Sequence, residues 1–339
     1  MTPLLEVDNL HVVFDTDRGA VRAVNGVSFA VQPGETLGLV GESGCGKTMT
    51  AQAILRLIPS PPGRIAGGRI LFDGEDVLLA RPERLRRLRG AAIGMIFQEP
   101  LSALNPVLSV GTQLTELLTA HGSVSRTAMR QQALETLSEV GLPDPPALLR
   151  AYPHQLSGGM RQRVVIAMAI ALRPRLVIAD EPTTALDVTV QAQIIMLFKQ
   201  LKARHHMTLL LISHDVGVMV QLADRIAVLY AGHVVEEAPT ATLFTAPRHP
   251  YTRGLLAAIP ARRAPGELPE AIPGAVPDAA QLPSGCPFHP RCPRVLEVCR
   301  GTFPEMTVFD PAHRAACYNP EPIVNDVNDV KDVKDEKDG

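Results

Sequence analysis

Gly41-Glu42-Ser43-Gly44-Cys45-Gly46-Lys47-Thr48 reads G-x-x-x-x-G-K-T, and its flanks decide what it is. Before it, Thr36–Val40 (TLGLV) is a short apolar run suited to a buried strand. After it, Met49–Leu57 carries apolar residues at helical spacing. Strand, glycine-rich turn and helix in that order predict a phosphate-binding loop. Glycines let the backbone approach the phosphates and turn successive N–H groups toward one centre. The helix start adds partial positive charge. Lys47 can reach the β- and γ-phosphates, and the Thr48 hydroxyl can ligate Mg²⁺. Cys45, at a helix N-terminus, is expected to have a lowered thiol pKa if it is a redox group, and to be a small bystander otherwise.

The chain has 339 residues, 46% of them hydrophobic, and a formal net charge of −2. That suffices for one large α/β domain with an appendage. The near-neutral balance argues against a dedicated nucleic-acid binder. The longest apolar run, Val164–Leu172, is about half of what spans a bilayer. MTPLLEVDNL has acids early and no basic-then-apolar export signal. The expectation is a cytoplasmic chain whose membrane role comes through partners.

From Leu4 to about Ala238, strand-like and helix-like segments alternate. Arg69–Phe72 and Glu75–Val77 flank Asp73-Gly74, a hairpin signal. Arg126–Val140 has helical spacing, and 142–146 reads as a Pro-rich loop. Leu176–Ala179 and Leu209–Ile212 are wholly apolar, as expected of parallel strands covered on both faces. A closing hairpin is expected around Gly232. Beyond Ala238, residues 261–290 are rich in Pro, Gly and Ala, a linker or irregular module. The final NDVNDVKDVKDEKDG is charged and repetitive and predicts a disordered tail.

Leu176–Ala179 ends in Asp180-Glu181. A carboxylate at the carboxyl end of a strand beside the phosphate loop can hold Mg²⁺, which gives Asp180 its role. Glu181 can accept a hydrogen bond from an attacking water. Leu156-Ser157-Gly158-Gly159-Met160-Arg161-Gln162 precedes a long apolar helix, Arg161–Leu172. Ser157 is a good N-cap, and the free N–H groups there form a second anion site. Two phosphate-binding helix starts with one Walker-type lysine suggest that the second serves a nucleotide held by another subunit.

These motifs together resemble the nucleotide-binding subunit of ATP-binding cassette (ABC) transporters. LSGGM is similar to that family's signature, with Met where Gln is commonest. The resemblance implies an α/β P-loop NTPase core of the ABC type, a mixed sheet with flanking helices. It adds an antiparallel β subdomain and a helical signature subdomain at about 99–173. By the same resemblance, Gln98 in MIFQEP is the loop glutamine that touches Mg²⁺ and water. Ala185-Leu186-Asp187 is the loop that crosses the dimer interface, with Asp187 at the nucleotide, and His214 in LLLISHD is the switch histidine of the γ-phosphate. Phe14 is the adenine-stacking candidate. The family more often has Tyr there, and this chain has a few extra residues between it and the loop; a core Phe is the competing reading.

The resemblance covers about Leu4 to Pro260, implies an ATPase domain at 1–260, and extends to one branch through His249-Pro250-Tyr251-Thr252-Arg253 and the cysteine-rich end. Both are similar to dipeptide, oligopeptide and nickel importers. HPYT by itself reads as a turn. Cys286-x5-Cys292-x6-Cys299, then Cys317, lie in a small C-terminal module, 261–320, followed by the tail, 321–339. All-thiolate sites suit iron–sulfur or zinc, and the spacings lack the close C-x2-C knuckles of zinc ribbons. The related importers imply a [4Fe–4S] cluster; zinc and free buried thiols are the alternatives, and His289 is a further candidate ligand.

The implied function is the ATPase subunit that powers import of dipeptides or oligopeptides from the cytoplasmic face of the membrane, with nickel as the alternative cargo. The implied partners are two transmembrane permeases, a second ATP-binding subunit that is usually a paralogue, and indirectly an extracytoplasmic substrate-binding protein, with no nucleic acid. A soluble ATPase of the same class outside transport, as in DNA repair or translation, is the reading of another kind. Such proteins usually carry a coiled-coil insertion or two cassettes, and this chain has neither.

Overall fold

The computed structural model describes residues 2–17, 19–122, 125–259 and 271–322. Of the linker or irregular module expected at 261–290, residues 261–270 lie outside the described residues, as does the charged tail from Asn325. In chain order the elements are β1 (Leu5–Thr16), β2 (Gly19–Val31), β3 (Thr36–Val40), α1 (Lys47–Ile54), β4 (Gly63–Phe72), β5 (Glu75–Asp76), α2 (Pro82–Arg87), β6 (Ile93–Ile96) and α3 (Pro100–Ala103). Then come α4 (Val110–His121), α5 (Arg126–Glu139), α6 (Pro145–Leu148), α7 (Gly158–Ile170), β7 (Leu176–Asp180), α8 (Val188–His205) and β8 (Thr208–Ile212). The chain closes with α9 (Val216–Leu222), β9 (Arg225–Tyr230), β10 (His233–Pro239), α10 (Thr240–Thr245), α11 (Pro250–Ala257), β11 (Thr307–Asp310) and β12 (His313–Ala315).

The strands form two sheets. An antiparallel sheet runs β2-β1-β4-β5, and a mixed sheet runs β11-β12-β10-β9-β3-β8-β7-β6. β3 pairs in parallel with β8 and β9, and β7 with β8 and β6. Their continuous apolar sequences follow from this position. Side chains alternate across a strand, so Leu176, Ile178, Leu210 and Ile212 join one apolar layer, with α1 and the antiparallel sheet. Val177, Ala179, Leu209 and Leu211 join the other, with α4, α5, α7, α8 and α9. Each fully buried Leu or Ile contributes about 1.5–3 kcal/mol by leaving water.

Local signals set the corners. Asp73 and Gly74 both have positive φ (53° and 79°), as a two-residue hairpin with right-twisted strands requires. Ala231 and Gly232 do the same between β9 and β10. Part of the expected Pro-rich loop is instead the short helix α6, because Asp144 caps Ala147 N–H and a proline opens the helix. HPYT likewise begins a helix rather than a turn. His249 caps α11 by accepting Tyr251 N–H at 3.1 Å, and Pro250 occupies the first helical position.

The cysteine-containing segment shares the core of the cassette. β12 extends the mixed sheet by pairing with β10. Cys286, Phe288 and Cys299 belong to the same apolar cluster as α7 and α8. Buried Glu236 of β10 accepts His313 Nε2–H at 2.7 Å and the N–H groups of Arg248 and His249, tying β12 and α11 to one strand.

Candidate functional site

β3 ends at Val40 and the chain turns at once. A Cβ on Gly41 would sit 2.2 Å from the Leu229 carbonyl oxygen, so only glycine lets the loop pass β9. Gly46 has φ 103° and abuts the Ala23 carbonyl, which again admits only glycine. Lys47, 5% exposed, folds back over the loop. Its ammonium donates to the Gly41 and Glu42 carbonyls at 2.8 and 3.2 Å. Thr48 Oγ1 donates to Asp180 Oδ1 at 3.2 Å. Ser43 and Gly44 lie exposed at the loop tip.

At Cys45 the structure separates the two readings that the sequence left open. It is fully buried, and burial pushes its thiol pKa up despite the Lys47 charge beside it. It is a small packed residue, not an activated thiol.

Two adjacent carboxylates are tuned in opposite directions. Asp180 closes β7, is 2% exposed, and has its pKa pushed up to about 6 by burial, with the Glu181 charge adding and the Thr48 hydrogen bond and Lys47 opposing. Glu181 is held below the ordinary range although burial alone would raise it. Thr184 Oγ1 donates to it at 2.7 Å, His214 Nδ1 lies at 3.0 Å, and Lys47 adds positive potential. Gln98 Nε2 reaches the same carboxylate oxygen at 3.4 Å. Glu181, Gln98 and His214, expected from three separate motifs, therefore meet at one carboxylate. Glu181 has φ 49° and Ala185 φ 62°, a strained conformation for side-chain-bearing residues. Buried Gln162 of α7 donates to the Pro182 carbonyl at 2.7 Å and braces this loop.

The oxygen-only pair of Thr48 and Asp180 fits Mg²⁺, which favours hard oxygen ligands. The fit is supported by Asp180 itself, a buried carboxylate that lacks a full counter-charge.

Ser157 caps α7 by accepting Met160 N–H at 3.3 Å, and Ser157 and Gly158 lie on the surface. A Cβ on Gly159 would come within 2.8 Å of Val190, so Gly159 lets α7 pack against α8. Asp187 caps α8 through Val190 N–H at 2.9 Å. Among the described residues, no hydrogen bond or ion pair found joins the Ser157 or Asp187 side chain to the chain's own phosphate loop. Phe14 pairs with Val21 and Gly63 and packs against the second apolar cluster; a Cβ on Gly63 would touch its ring.

The sequence reading missed Thr184, Gln162, Tyr251 and Arg291. Tyr251 and Arg291 contact Glu42 from far along the chain: Tyr251 Oη accepts Glu42 N–H at 2.9 Å, and Arg291 pairs with the Glu42 carboxylate. GGMRQR and HPYT were the available signals for two of the four, Gln162 and Tyr251.

The four C-terminal cysteines are all free thiols. Burial, with neighbouring thiols adding, pushes Cys286 up to about 11 and Cys317 up to about 12; each has the other three or two of them within electrostatic reach. Among the described residues, however, no group of three or more His, Cys, Asp or Glu could hold a metal ion. The expected [4Fe–4S] cluster on Cys286, Cys292, Cys299 and Cys317 therefore gains no support from the geometry. Cys286 and Cys299 are buried, Cys292 and Cys317 partly so, and His289 turns its Nδ1 to the Cys286 carbonyl at 3.0 Å.

Comparison with known proteins completes the description. Residues 24–184 match the ABC transporter family, and residues 235–299 match the oligopeptide/dipeptide transporter C-terminal region. The chain is 48% identical to the dipeptide transport ATP-binding protein DppD of Bacillus subtilis, over 94% of this chain and 95% of that one. It is 45% identical to DppD of Escherichia coli, over 94% and 97%. It is 48% identical to the oligopeptide transport ATP-binding protein OppD of Bacillus subtilis, over 88% and 84%. Among solved structures, the dimeric post-hydrolysis state of the cassette MJ0796 with ADP and phosphate superposes with a TM-score of 0.62. It is 28% identical and covers 70% of this chain and 98% of that one.

Two substitutions probe the carboxylates. Glu181→Gln is expected to keep ATP binding while cutting turnover on the order of 10²-fold or more, because one positioned acceptor is lost. Near-normal turnover in the assembled transporter would falsify the assignment. Asp180→Asn is expected to abolish Mg²⁺-dependent hydrolysis and yet stabilise the nucleotide-free chain above pH 6. A raised carboxylate pKa means that the native state resists ionisation, so stability is lost as pH rises from the ordinary 3.8 and the full penalty is present above about 6. The gain should be on the order of 1–3 kcal/mol, read as a higher Tm at pH 8. A lower Tm would show that the charge is compensated.

Proposed function

The chain belongs to the ABC transporter family of ATP-binding proteins, and from that premise we propose that it is the ATP-hydrolysing subunit that powers import of dipeptides or oligopeptides. The observation that carries the ATPase reading is the convergence of Gln98 and His214 on Glu181, next to the Thr48–Asp180 pair. The peptide cargo is supported by the relatives, which are named for dipeptide and oligopeptide transport, and by the match of residues 235–299. Nickel as cargo is correspondingly not favoured.

Each residue has a task in this reading. The Gly41–Thr48 backbone binds the phosphates, and Lys47 moves its ammonium from the loop carbonyls to the β- and γ-phosphates. Thr48 and Asp180 would hold Mg²⁺, with Gln98 at its edge, and the ion would neutralise charge between the transferring phosphates. Glu181 orients the water, and its low pKa keeps it an acceptor at neutral pH. His214 contacts the γ-phosphate. Phe14 stacks on adenine. Ser157, Gly158, Gly159 and Asp187 act on the nucleotide of a second ATP-binding subunit, usually a paralogue. That reading agrees with Ser157 and Gly158 lying on the surface.

The subunit would dock on two permeases at the cytoplasmic face, supplied by a substrate-binding protein outside. No described helix is long and apolar enough to cross a membrane. Loss of the chain in its host is expected to abolish uptake of a labelled dipeptide and to spare Ni²⁺ uptake; the reverse result would restore nickel as the cargo. In the purified subunit, Ser157→Arg is expected to leave ATP binding intact and to abolish hydrolysis by the assembled transporter. If the isolated subunit itself loses ATP binding, the site does not act across a dimer.

For the cysteines, the [4Fe–4S] reading rests on the branch resemblance alone. Anaerobically purified protein carrying the cluster should be brown and contain about four irons per chain, the cluster's own stoichiometry. Zinc, or no metal, would overturn that reading.

A further inference from the structure

Arg291 belongs to the cysteine-containing segment and sits one residue before Cys292, yet its guanidinium ends at the phosphate loop. Nη1 donates to Glu42 Oε2 at 2.7 Å, and Nη2 donates to Glu42 Oε1 at 3.1 Å, a two-pronged pair with the second residue of that loop. The side chain is 4% exposed. The other donors are engaged as well: Nε by the Pro273 carbonyl at 3.0 Å, and Nη1 by the Tyr230 hydroxyl at 3.2 Å. The guanidinium lies 5.8 and 6.0 Å from the ring centres of Tyr230 and Phe288. Tyr230, Phe288 and Tyr251 pack together with centroids 4.6–5.4 Å apart, and all are buried. From that box the Tyr251 hydroxyl accepts Glu42 N–H. Burial keeps this phenol neutral by raising its pKa. Both the backbone and the side chain of Glu42 are therefore held from outside the cassette's own motifs.

Glu42 matters because its neighbours do the binding. Its carbonyl and that of Gly41 hold the Lys47 ammonium. A loop that presents N–H groups to phosphate is effective only if it is ordered before the ligand arrives. We propose that Arg291 and Tyr251 are positioning residues of the ATP site, a clamp through which the cysteine-containing segment fixes the shape of the phosphate loop. The proposal rests on the ATPase reading above. The coupling runs both ways: if the clamp orders the loop, bound ATP must tighten the segment.

The test uses the full-length chain and a fluorescent ATP analogue at equilibrium, with thermal melts to establish folding. Arg291→Met keeps the stem that packs on the rings and removes the charge. Arg291→Met and Glu42→Gln are each expected to raise the analogue's Kd on the order of 10-fold. The double variant should be no worse than either alone, because both remove the same contact. Arg291→Lys should recover only part of the affinity, since an ammonium lacks the planar fork. Amide hydrogen exchange in residues 286–300 should slow on ATP addition in the parent chain and not in Arg291→Met. Unchanged Kd in folded Arg291→Met, or additive effects in the double variant, would overturn the clamp. If Arg291→Met fails to fold, Tyr251→Phe carries the test: it keeps the packed ring and removes one acceptor, and an unchanged Kd there also overturns it. A parent chain that does not bind the analogue would sink the ATPase reading instead, so the two failures are distinguishable.

Discussion

Parallel pairing of β3 with β8, and of β8 with β7, is the constraint on which the site depends. Leu39 registers with Ile212, and Ile212 with Asp180. The three strands therefore end at the same level, and the residues that follow them emerge on one edge: Gly41 and its loop, Asp180-Glu181, and His214. β6 lies beside β7 and delivers Gln98 to the same edge. Such pairing is stable only if both sheet faces are covered. The two apolar layers are thus a precondition of the chemistry. A slip of one residue in any of these strands would exchange the layers and move the polar groups off the edge.

What the sequence made legible was local. The phosphate loop, the two hairpins at Asp73-Gly74 and Gly232, and the capped helix after Ser157 each depend on residues a few positions apart. Their backbone requirements are visible as glycines and cap residues. The apolar strands were legible because burial on both faces leaves an unbroken hydrophobic run. Long-range side-chain contacts were not. Glu42 was legible only as part of the phosphate loop, and its partners stand 209 and 249 residues away. Nothing in periodicity or spacing couples such positions. At Cys45 the helix-terminal position left an activated thiol and a small packed residue both open, and only complete burial, which pushes the pKa up, separates them.

The cysteine-containing segment shows how composition misleads about autonomy. Residues 273–317 are rich in Pro and poor in periodic apolar residues, which suggests a small unit needing a metal to fold. In the structure the segment uses the cassette's core instead. Phe288 is 1% exposed within the main cluster, and β12 covers the edge of β10. An uncovered edge strand is an aggregation hazard, so the segment protects the cassette while the cassette supplies its folding energy. Any metal bound there would add to a fold that is already anchored.

The geometry around Glu181 explains why an ATPase of this design can be governed from outside its own site. Glu181 and Ala185 hold left-handed conformations that cost of order 1–3 kcal/mol each. That strain persists because neighbours over-determine the loop: Thr184 within it, Gln162 from α7 and His214 from the end of β8. Two of the three restraints come from other elements. A shift of α7, the helix that begins with the surface-exposed Ser157, would alter the Gln162 contact and with it the balance that keeps Glu181 in place. Glu42 repeats the pattern within the phosphate loop itself, where its restraints come from α11 and from the segment carrying Arg291. The groups proposed to do chemistry are thus each held by elements that have other business: helix α7 with the signature surface, and the C-terminal segment with the sheet edge. Movement of either element is transmitted as a loss or gain of one or two buried hydrogen bonds. Contacts of that size shift occupancies several-fold to tenfold without unfolding the domain.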